Sequence, residues 1–230
     1  MRFQETTTDR AKLQVVSHPD SRQGLEDHPR KRRSDGERSR SAILHEAAQL
    51  ATVDGIAGLS IGRLADAVGM SKSGLYAHFG SKQDLQLATI EAASTVFHDQ
   101  VIGPASTEAN GLDRLRRLLE SFLRHVSGDA YPGGCFFASV LAEMDMHPGP
   151  VRDRAVEFVV HWLRQIEDGV REAQEDGALD RSEDALQLTF ELEAYLLLAN
   201  TQYVVTHDAE PIDRARRAIA RRLVAASATA

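Results

Sequence analysis

Residues 60–85 read SIGRLADAVGMSKSGLYAHFGSKQDL and contain two short helical segments and the start of a third, longer one. Each segment is preceded by a serine, Ser60, Ser71 or Ser81, and serine is a preferred helix N-cap. Gly69 supplies the positive φ that a tight turn between the first two segments requires. The pattern predicts a helix-turn-helix, which presents the start of its second helix to the DNA major groove. An ordinary pair of packed helices with a glycine turn has the same spacing.

The residues after the turn favour DNA binding. Tyr76 and Lys82 flank the end of the second helix, and Phe79 lies three residues from Tyr76. Phenol hydroxyls, ammonium groups and free N–H groups at helix starts are common phosphate ligands. Phe79 is predicted to face the opposite way and to hold the short helix in the core. We therefore expect Tyr76 and Lys82 to grip one phosphate backbone beside the helix that reads bases.

The charge distribution agrees with this interpretation, although the net charge is −7. The segment from Arg30 to Lys82 has nine Lys/Arg and five Asp/Glu, a balance of +4. From Gln83 to Ala230 the counts are 14 and 24, a balance of −10. A basic segment on an acidic body indicates that only one part of the chain binds a polyanion.

Composition excludes several other classes of protein. No apolar run approaches the roughly 20 residues of a membrane span. The N-terminus lacks the apolar stretch of a signal peptide, so a cytoplasmic location is expected. The single cysteine, Cys135, excludes an internal disulfide and argues against a cysteine-based zinc site. No phosphate-binding glycine loop or Ser/His/Asp arrangement is present, so neither a cofactor nor enzymatic activity is expected.

The sequence predicts an all-α fold of about nine helices and no strands. Residues 1–36 are predicted to be a disordered tail, either a solvated leader or a basic arm that follows phosphates. Residues 37–82 form the predicted DNA-binding domain, and residues 83–230 a helical regulatory and dimerisation domain. The helices beyond the DNA-binding domain are predicted at about 82–101, 110–126, 135–146, 151–173, 184–206 and 211–226. The helix at 184–206 is apolar nearly all round, which predicts burial on several sides.

Two features outside the helix-turn-helix leave alternatives open. Glu143 and His147 lie four residues apart, as two metal ligands on one helix face do, but no further His/Cys cluster completes the site. No metal is therefore expected. Cys135 is either a nucleophile with a lowered pKa at a helix start or an ordinary packed side chain.

The stretch from about Arg40 to Leu85 resembles the DNA-binding domain of the TetR family of transcriptional regulators. This covers about a fifth of the chain. The regulatory half resembles a subgroup of that family more loosely, through YPGGCFFAS and HPGPVRD. The residues that carry the resemblance are Ile43-Leu44, Ala47-Ala48, Gly55, Ser60, Leu64-Ala65, Val68-Gly69, Ser71-Lys72, Leu75-Tyr76, His78-Phe79, Lys82 and Leu85.

The resemblance implies a homodimer formed through the last two helices, which binds double-stranded DNA at a palindromic operator. It also implies a repressor released by a small-molecule effector. Gly62 departs from the pattern, because some family members place a base-reading arginine there. By resemblance, Ser60, Tyr76 and Lys82 contact the DNA backbone, while Lys72, Ser73 and Gly74 face the bases with His78 beside them. Ser71, the cap of this helix, is also among the predicted DNA-binding residues.

An effector pocket is expected between the helices at 112–126, 135–146, 151–173 and 184–206. His161 and Glu193 are the preferred candidates, because each interrupts an apolar stretch and needs a partner if buried. The full set of predicted lining residues is Phe122, His125, Phe136, Met144, His161, Trp162, Glu193 and Tyr195.

Two other functional classes remain open on the sequence alone. One is an all-α ligand-binding protein without DNA-binding activity. This class stays open because Gly62 offers no side chain to read bases and the second short helix has few basic residues. The other is an all-α enzyme that uses the regulatory cavity, although no paired acid and base is visible.

Overall fold

The structure, a computed structural model, describes residues 29–144 and 148–228, in which helices joined by loops form the regular structure and no β-strand is present. Nine helices of eight or more residues lie within these ranges, so the predicted all-α fold is confirmed. Their bounds are α1 Pro29–Asp54, α2 Ile61–Val68, α3 Lys72–Phe79, α4 Lys82–Phe97, α5 Gly111–Ser127, α6 Phe136–Met144, α7 Pro150–Glu175, α8 Ala185–Thr206 and α9 Glu210–Ala225.

The first helix begins earlier than the sequence predicts. It begins at Pro29, whereas the predicted start is Glu37. Proline suits the first turn of a helix, since its missing N–H has no partner there, and the following arginines and lysine are good helix formers. The remainder of the predicted tail, residues 1–28, lies outside the described residues.

The serine caps of the DNA-binding segment form as predicted. Ser60 accepts a hydrogen bond from the amide of Arg63, and Ser81 accepts one from the amide of Asp84 at 3.1 Å. The Ser81 hydroxyl also donates to the Asp84 carboxylate at 2.6 Å. Gly69 has a φ of +66° and ends α2, so the glycine turn of the helix-turn-helix is confirmed.

Two hydrophobic cores are present, and α1 and α4 contribute to both. Ile43 of α1 and Leu85 of α4 lie in the smaller core, which holds α2 and α3 in place. Ala51 of α1 and Phe97 of α4 lie in the larger core with the helices from α5 onward. The predicted boundary at residue 82 therefore precedes a helix that the two domains share.

Helix α8 differs from its prediction of burial on several sides. One side is buried in the larger core, but another carries exposed apolar residues that are spaced along the helix. Phe190, for example, is 69% exposed. A single chain therefore leaves an apolar stripe on α8 in contact with solvent. The residues of this stripe are Leu186, Phe190, Leu197, Leu198 and Val205.

Substituting Gly69 tests the backbone requirement of the turn. We expect Gly69→Ala to lower the free energy of unfolding by about 1 kcal/mol, since a Cβ is disfavoured in the left-handed region. The added Cβ meets no atom within 4 Å, so the cost arises from the backbone alone. Urea denaturation at a fixed protein concentration measures the change.

Gly36→Ala is the matched control. Gly36 lies inside α1, and a Cβ there also meets nothing within 4 Å. We expect this variant to gain about 0.5–1 kcal/mol, because glycine destabilises a helix interior relative to alanine. Equal shifts of the same sign in the two variants would contradict the role of the Gly69 turn.

Candidate nucleic-acid interface

The second short helix, α3, is buried on one side and exposed to solvent on the other. Leu75 and Phe79 are buried in the smaller core, so the opposite side faces outward. Tyr76 is 54% exposed, and its phenol therefore lies on the outer surface as predicted. The Phe79 anchor predicted from the sequence is also confirmed.

The start of α3 carries short polar groups. Ser71 accepts a hydrogen bond from the Gly74 amide at 3.1 Å, and its hydroxyl lies 3.3 Å from that of Ser73. Lys72 and Ser73 are exposed, whereas Gly74 is half-buried. A helix start with exposed hydroxyls and one ammonium group suits contacts to base edges and phosphates.

Lys72 lies across the preceding helix at Gly62. A Cβ built on Gly62 would lie 3.4 Å from Lys72 Cε and 3.6 Å from Lys72 Nζ. The space left by the missing side chain is therefore occupied by the lysine of the next helix. Since α2 offers no side chain at this position, Lys72 places its ammonium group beside the start of α2.

The remaining predicted DNA-contact residues are less uniformly exposed. Ser60 is half-buried, and its hydroxyl oxygen accepts the N-cap hydrogen bond from the amide of Arg63 at 3.3 Å. His78 is half-buried beside Phe79, with 6.1 Å between ring centroids. Lys82 is exposed, and its ammonium donates to the carbonyl of Ala57 at 2.6 Å.

A carboxylate from the regulatory half holds the loop after α1, a contact that sequence analysis missed. Glu143 of α6 accepts hydrogen bonds from the amides of Ile56 at 2.7 Å and Ala57 at 2.9 Å. Gly55, with a φ of +78°, lets the carboxylate approach, since a Cβ there would lie 2.5 Å from Glu143 Oε2. Because Ala57 also accepts from Lys82, one residue links Glu143 to a predicted DNA contact.

Arg40 is the second contact that sequence analysis missed. Its Nη1 donates to the carbonyl of His78 at 2.7 Å, and the guanidinium stands 4.5 Å from the centre of the Phe79 ring. The C-terminal end of α3 is therefore capped from α1 by a cation, where it favours the helix dipole. Neither Arg40 nor Glu143 has a local signal, because their partners lie 38 and 87 residues away.

Part of the predicted effector pocket forms an aromatic cluster around Phe97. Its ring meets those of Phe122, His125 and Trp162 edge to face, with centroid distances of 6.1, 5.5 and 5.1 Å. Phe136 joins through Phe137, with 5.2 Å between centroids. Edge-to-face packing at these distances fills the space between the helices with side chains. Phe97 itself was not among the predicted residues, although it continues the apolar spacing of α4.

Two polar groups lie at this cluster. Burial lowers the pKa of His125 to about 4, so its imidazole is neutral at pH 7, and Nδ1 lies 2.7 Å from Oε1 of Gln100. Nε2 of His125 is buried without a hydrogen-bond partner in the described part of the chain. Burial also raises the pKa of Glu193, which accepts a hydrogen bond from the Trp162 indole at 2.9 Å.

The other predicted lining residues are not brought to the cluster. His161 is exposed, because it precedes Trp162 by one residue and a helix turns about 100° per residue. Tyr195 lies two residues from Glu193 and lines a groove between α8 and α9 instead. The structure therefore places these two residues away from the aromatic cluster. The side chain of Met144 lies outside the described residues.

The structure also bears on the two alternatives for chemistry. Burial raises the pKa of the Cys135 thiol to about 11, which favours the packed side chain over a nucleophile. Both oxygens of Glu143 are engaged with backbone amides, and His147 lies outside the described residues. Within the described residues, no three His, Cys, Asp or Glu side chains group as a metal site requires.

Comparisons with known proteins agree with this architecture. The family model described as "Bacterial regulatory proteins, tetR family" matches residues 43–89, and "Tetracyclin repressor-like, C-terminal domain" matches residues 111–219. No curated protein matches the chain.

Several solved structures superpose on the chain, among them a TetR transcriptional regulator. A regulator from Chloroflexus aurantiacus is 24% identical, with a TM-score of 0.78 over 86% of this chain and 100% of its own. A regulator from Saccharomonospora viridis in complex with choline is 22% identical, with a TM-score of 0.69 and coverage of 84% and 100%. AibR, in complex with isovaleryl coenzyme A and operator DNA, is 26% identical, with a TM-score of 0.59 and coverage of 70% and 86%.

The exposed helix-turn-helix on a helical second domain defines a DNA-binding transcriptional regulator. Two family models cover both domains. The chain belongs to the TetR family, whose members are regulators and not enzymes. This assignment decides against the two rival classes that the sequence left open. No helix within the described residues has the length and apolar character that crossing a membrane demands.

Removing the Glu143 carboxylate tests the link between the domains. We expect Glu143→Ala to lower the free energy of unfolding by about 2 kcal/mol, because two amides lose a charged acceptor. DNA affinity should also fall on all sequences alike, since Lys82 loses its fixed partner in the loop. Urea denaturation and fluorescence anisotropy with labelled DNA measure the two effects.

Glu157→Ala is the control, because Glu157 is an exposed carboxylate of α7 that contacts only Arg154 among the described side chains. It should leave both quantities near the wild-type values. If Glu143→Ala behaves like this control in both measurements, Glu143 does not hold the loop in solution.

Proposed function

We propose that this regulator is a homodimeric repressor that a small molecule releases from a palindromic operator. The exposed polar surface of α3 carries the proposal. It combines the hydroxyls of Ser71 and Ser73, the ammonium of Lys72 and the phenol of Tyr76 on a helix fixed from behind. Such a helix fits the major groove with its N-terminal residues towards the bases. Its place of action is then the cytoplasm, where the operator lies.

The DNA contacts divide into two groups. Ser60, Tyr76 and Lys82 lie at the flanks and supply hydroxyl and ammonium donors, which suit phosphates and carry no sequence information. Lys72, with its ammonium over Gly62, is the main candidate for reading bases, since lysine recognises guanine O6 and N7. Ser73 and Gly74 follow on the same turn, and the half-buried His78 contributes at the rim.

Dimerisation is proposed through α8 and α9. The apolar stripe of α8 is exposed in a single chain, and Val224 of α9 is exposed as well. Contiguous exposed apolar surface on a folded protein marks an interaction site. A two-fold dimer would present two copies of α3, and the operator would then be palindromic with half-sites one or more helical turns apart.

Release by an effector is proposed through the shared helices α1 and α4. A ligand that favours one arrangement of these helices changes the spacing of the two copies of α3. A coupling free energy of about 1–3 kcal/mol is enough for regulation. AibR and the Saccharomonospora viridis regulator were solved with small molecules bound, which supports an effector here without identifying it. The predicted residues around Trp162 and Glu193 remain candidates for effector contact.

Substituting the two lysines separates phosphate binding from base reading. Lys82→Ala should weaken binding about equally on all sequences and reduce the salt slope by about 1, because one phosphate contact is lost. Lys72→Ala should instead change the preference at particular base pairs. Anisotropy titrations against a randomised operator library at several salt concentrations measure both effects. A selective loss for Lys82→Ala, or an unchanged preference profile for Lys72→Ala, would contradict these roles.

Placing a charge in the α8 stripe tests dimerisation. We expect Phe190→Glu to yield monomers, because a carboxylate in an apolar interface loses its hydration without gaining a partner. Sedimentation equilibrium measures the mass. The control is Val53→Glu on α1, which is 65% exposed, close to the 69% of Phe190. A dimer that persists in Phe190→Glu, or one that dissociates equally in the control, would rule out this interface.

A further inference from the structure

A groove of about 620 Å³ runs along the junction of the two domains, between α1 and α4. We call it the α1–α4 groove. Its floor is apolar and includes Leu44 of α1 and Ala92 of α4. The volume lies within the usual range for small-molecule sites, about 300–1,000 Å³. The groove adjoins the aromatic cluster around Phe97, where the effector pocket was predicted, through Tyr131, whose ring lies 5.9 Å from that of His125.

The two ends of the groove belong to different domains. Arg40 and Ala88 line the end next to the smaller core, where Ala88 packs. Val96 and Tyr131 line the end next to the larger core. From Ala88 to Val96 the helix advances eight residues, about 12 Å at 1.5 Å per residue. A ligand lying along the floor would therefore contact both domains at once.

The charge of the groove is positive at the Arg40 end. Among the described side chains, no carboxylate forms an ion pair with Arg40, and only Nη1 of its donors is engaged, by the His78 carbonyl. Glu91 in the wall is neutralised by Arg154, whose Nη2 lies 3.0 Å from Glu91 Oε2. The Arg154 guanidinium holds the pKa of Glu91 below its usual range, so this carboxylate stays ionised and paired.

The opposite end offers a neutral hydrogen-bond donor. Tyr131 is largely buried, and its hydroxyl has no hydrogen-bond partner among the described residues. Burial raises the pKa of this phenol to about 12, so it keeps its proton at pH 7. The groove thus presents a cation, an apolar floor and a phenol in that order along its length.

We propose that the α1–α4 groove binds a small organic monoacid as the effector. The carboxylate pairs with the guanidinium of Arg40 in place of the His78 carbonyl, and the apolar body lies over Leu44 and Ala92. Any polar group at the far end reaches the hydroxyl of Tyr131. This inference rests on the proposed function only for its effect on DNA, because binding of the acid is measurable without DNA.

Occupation of the groove would act on α3 through Arg40. An ionised carboxylate forms stronger hydrogen bonds with a guanidinium than a backbone carbonyl does. The ligand therefore draws Arg40 away from the His78 carbonyl and the Phe79 ring, which support the C-terminal end of α3. Two states of the protein are compared, one in which Arg40 supports α3 and one in which it does not. If the acid binds the unsupported state more tightly, it lowers DNA affinity, at most by the ratio of its affinities for these two states.

The test uses the full chain and three probe acids: octanoate, 4-phenylbutanoate and naphthalene-2-carboxylate. Isothermal titration calorimetry without DNA should detect at least one of them below about 1 mM, the weak end of the affinity scale. The matching primary amide should bind at least tenfold more weakly, because it lacks the charge. Arg40→Gln should weaken binding of the acid at least tenfold, and Ala92→Leu should weaken it by filling the floor.

Arg124→Gln is the control for loss of an arginine, since Arg124 is exposed on α5 and pairs with Glu120. It should bind the acid as the wild type does. No binding of any probe, equal binding of acid and amide, or undiminished binding to Arg40→Gln would overturn the inference.

A DNA titration separates this inference from the proposed function. The bound acid should lower operator affinity at least tenfold in the wild type and leave that of Arg40→Gln unchanged. Wild-type protein that binds DNA but none of the acids refutes the groove as an effector site and leaves the repressor intact. Protein that binds an acid at Arg40 but no DNA refutes the repressor and leaves the site intact. An acid that binds at Arg40 without changing DNA affinity shows a ligand site that is not the effector site, which also overturns the inference.

Discussion

Helices α1 and α4 each bury side chains in two hydrophobic cores, and this constraint determines how the molecule can work. Ile43 and Ala51 lie on one helix but in different cores, as do Leu85 and Phe97 on the other. The smaller core depends on side chains from these two helices, so α2 and α3 cannot be held in place without them. A movement of α1 relative to α4 therefore displaces the DNA-reading surface together with the regulatory half.

Besides the shared helices, two polar contacts hold the DNA-binding segment in place. They lie at the loop before α2 and at the C-terminal end of α3. Glu143 fixes the loop that enters α2, and Arg40 caps the end of α3. Each joins a charged side chain to backbone groups, so it holds the main chain itself and does not depend on a second side chain's rotamer. The helix-turn-helix is thus held at its entry from the regulatory half and at its exit from α1.

The sequence predicts those features that depend on local interactions. The caps at Ser60, Ser71 and Ser81 and the turn at Gly69 follow from residues within four positions of each other, and all four are present. The outward phenol of Tyr76 follows from the helical period. These local signals are enough for the fold class and for most of the DNA-contact surface.

Features that depend on distant residues were not predictable. The partner of Glu143 lies 87 positions away, and no local pattern distinguishes this glutamate from a solvated one. His161 and Trp162 are adjacent in sequence, so an apolar context alone could not show which of them is buried. In α8 the apolar character was visible, but whether a side faces the core or solvent depends on how many helices the chain can pack around it.

Since α3 has only eight residues and is too short to be stable alone, its position is set by such distant contacts. A regulator with this construction can therefore be switched through contacts behind the recognition helix, without any ligand touching the surface that meets DNA.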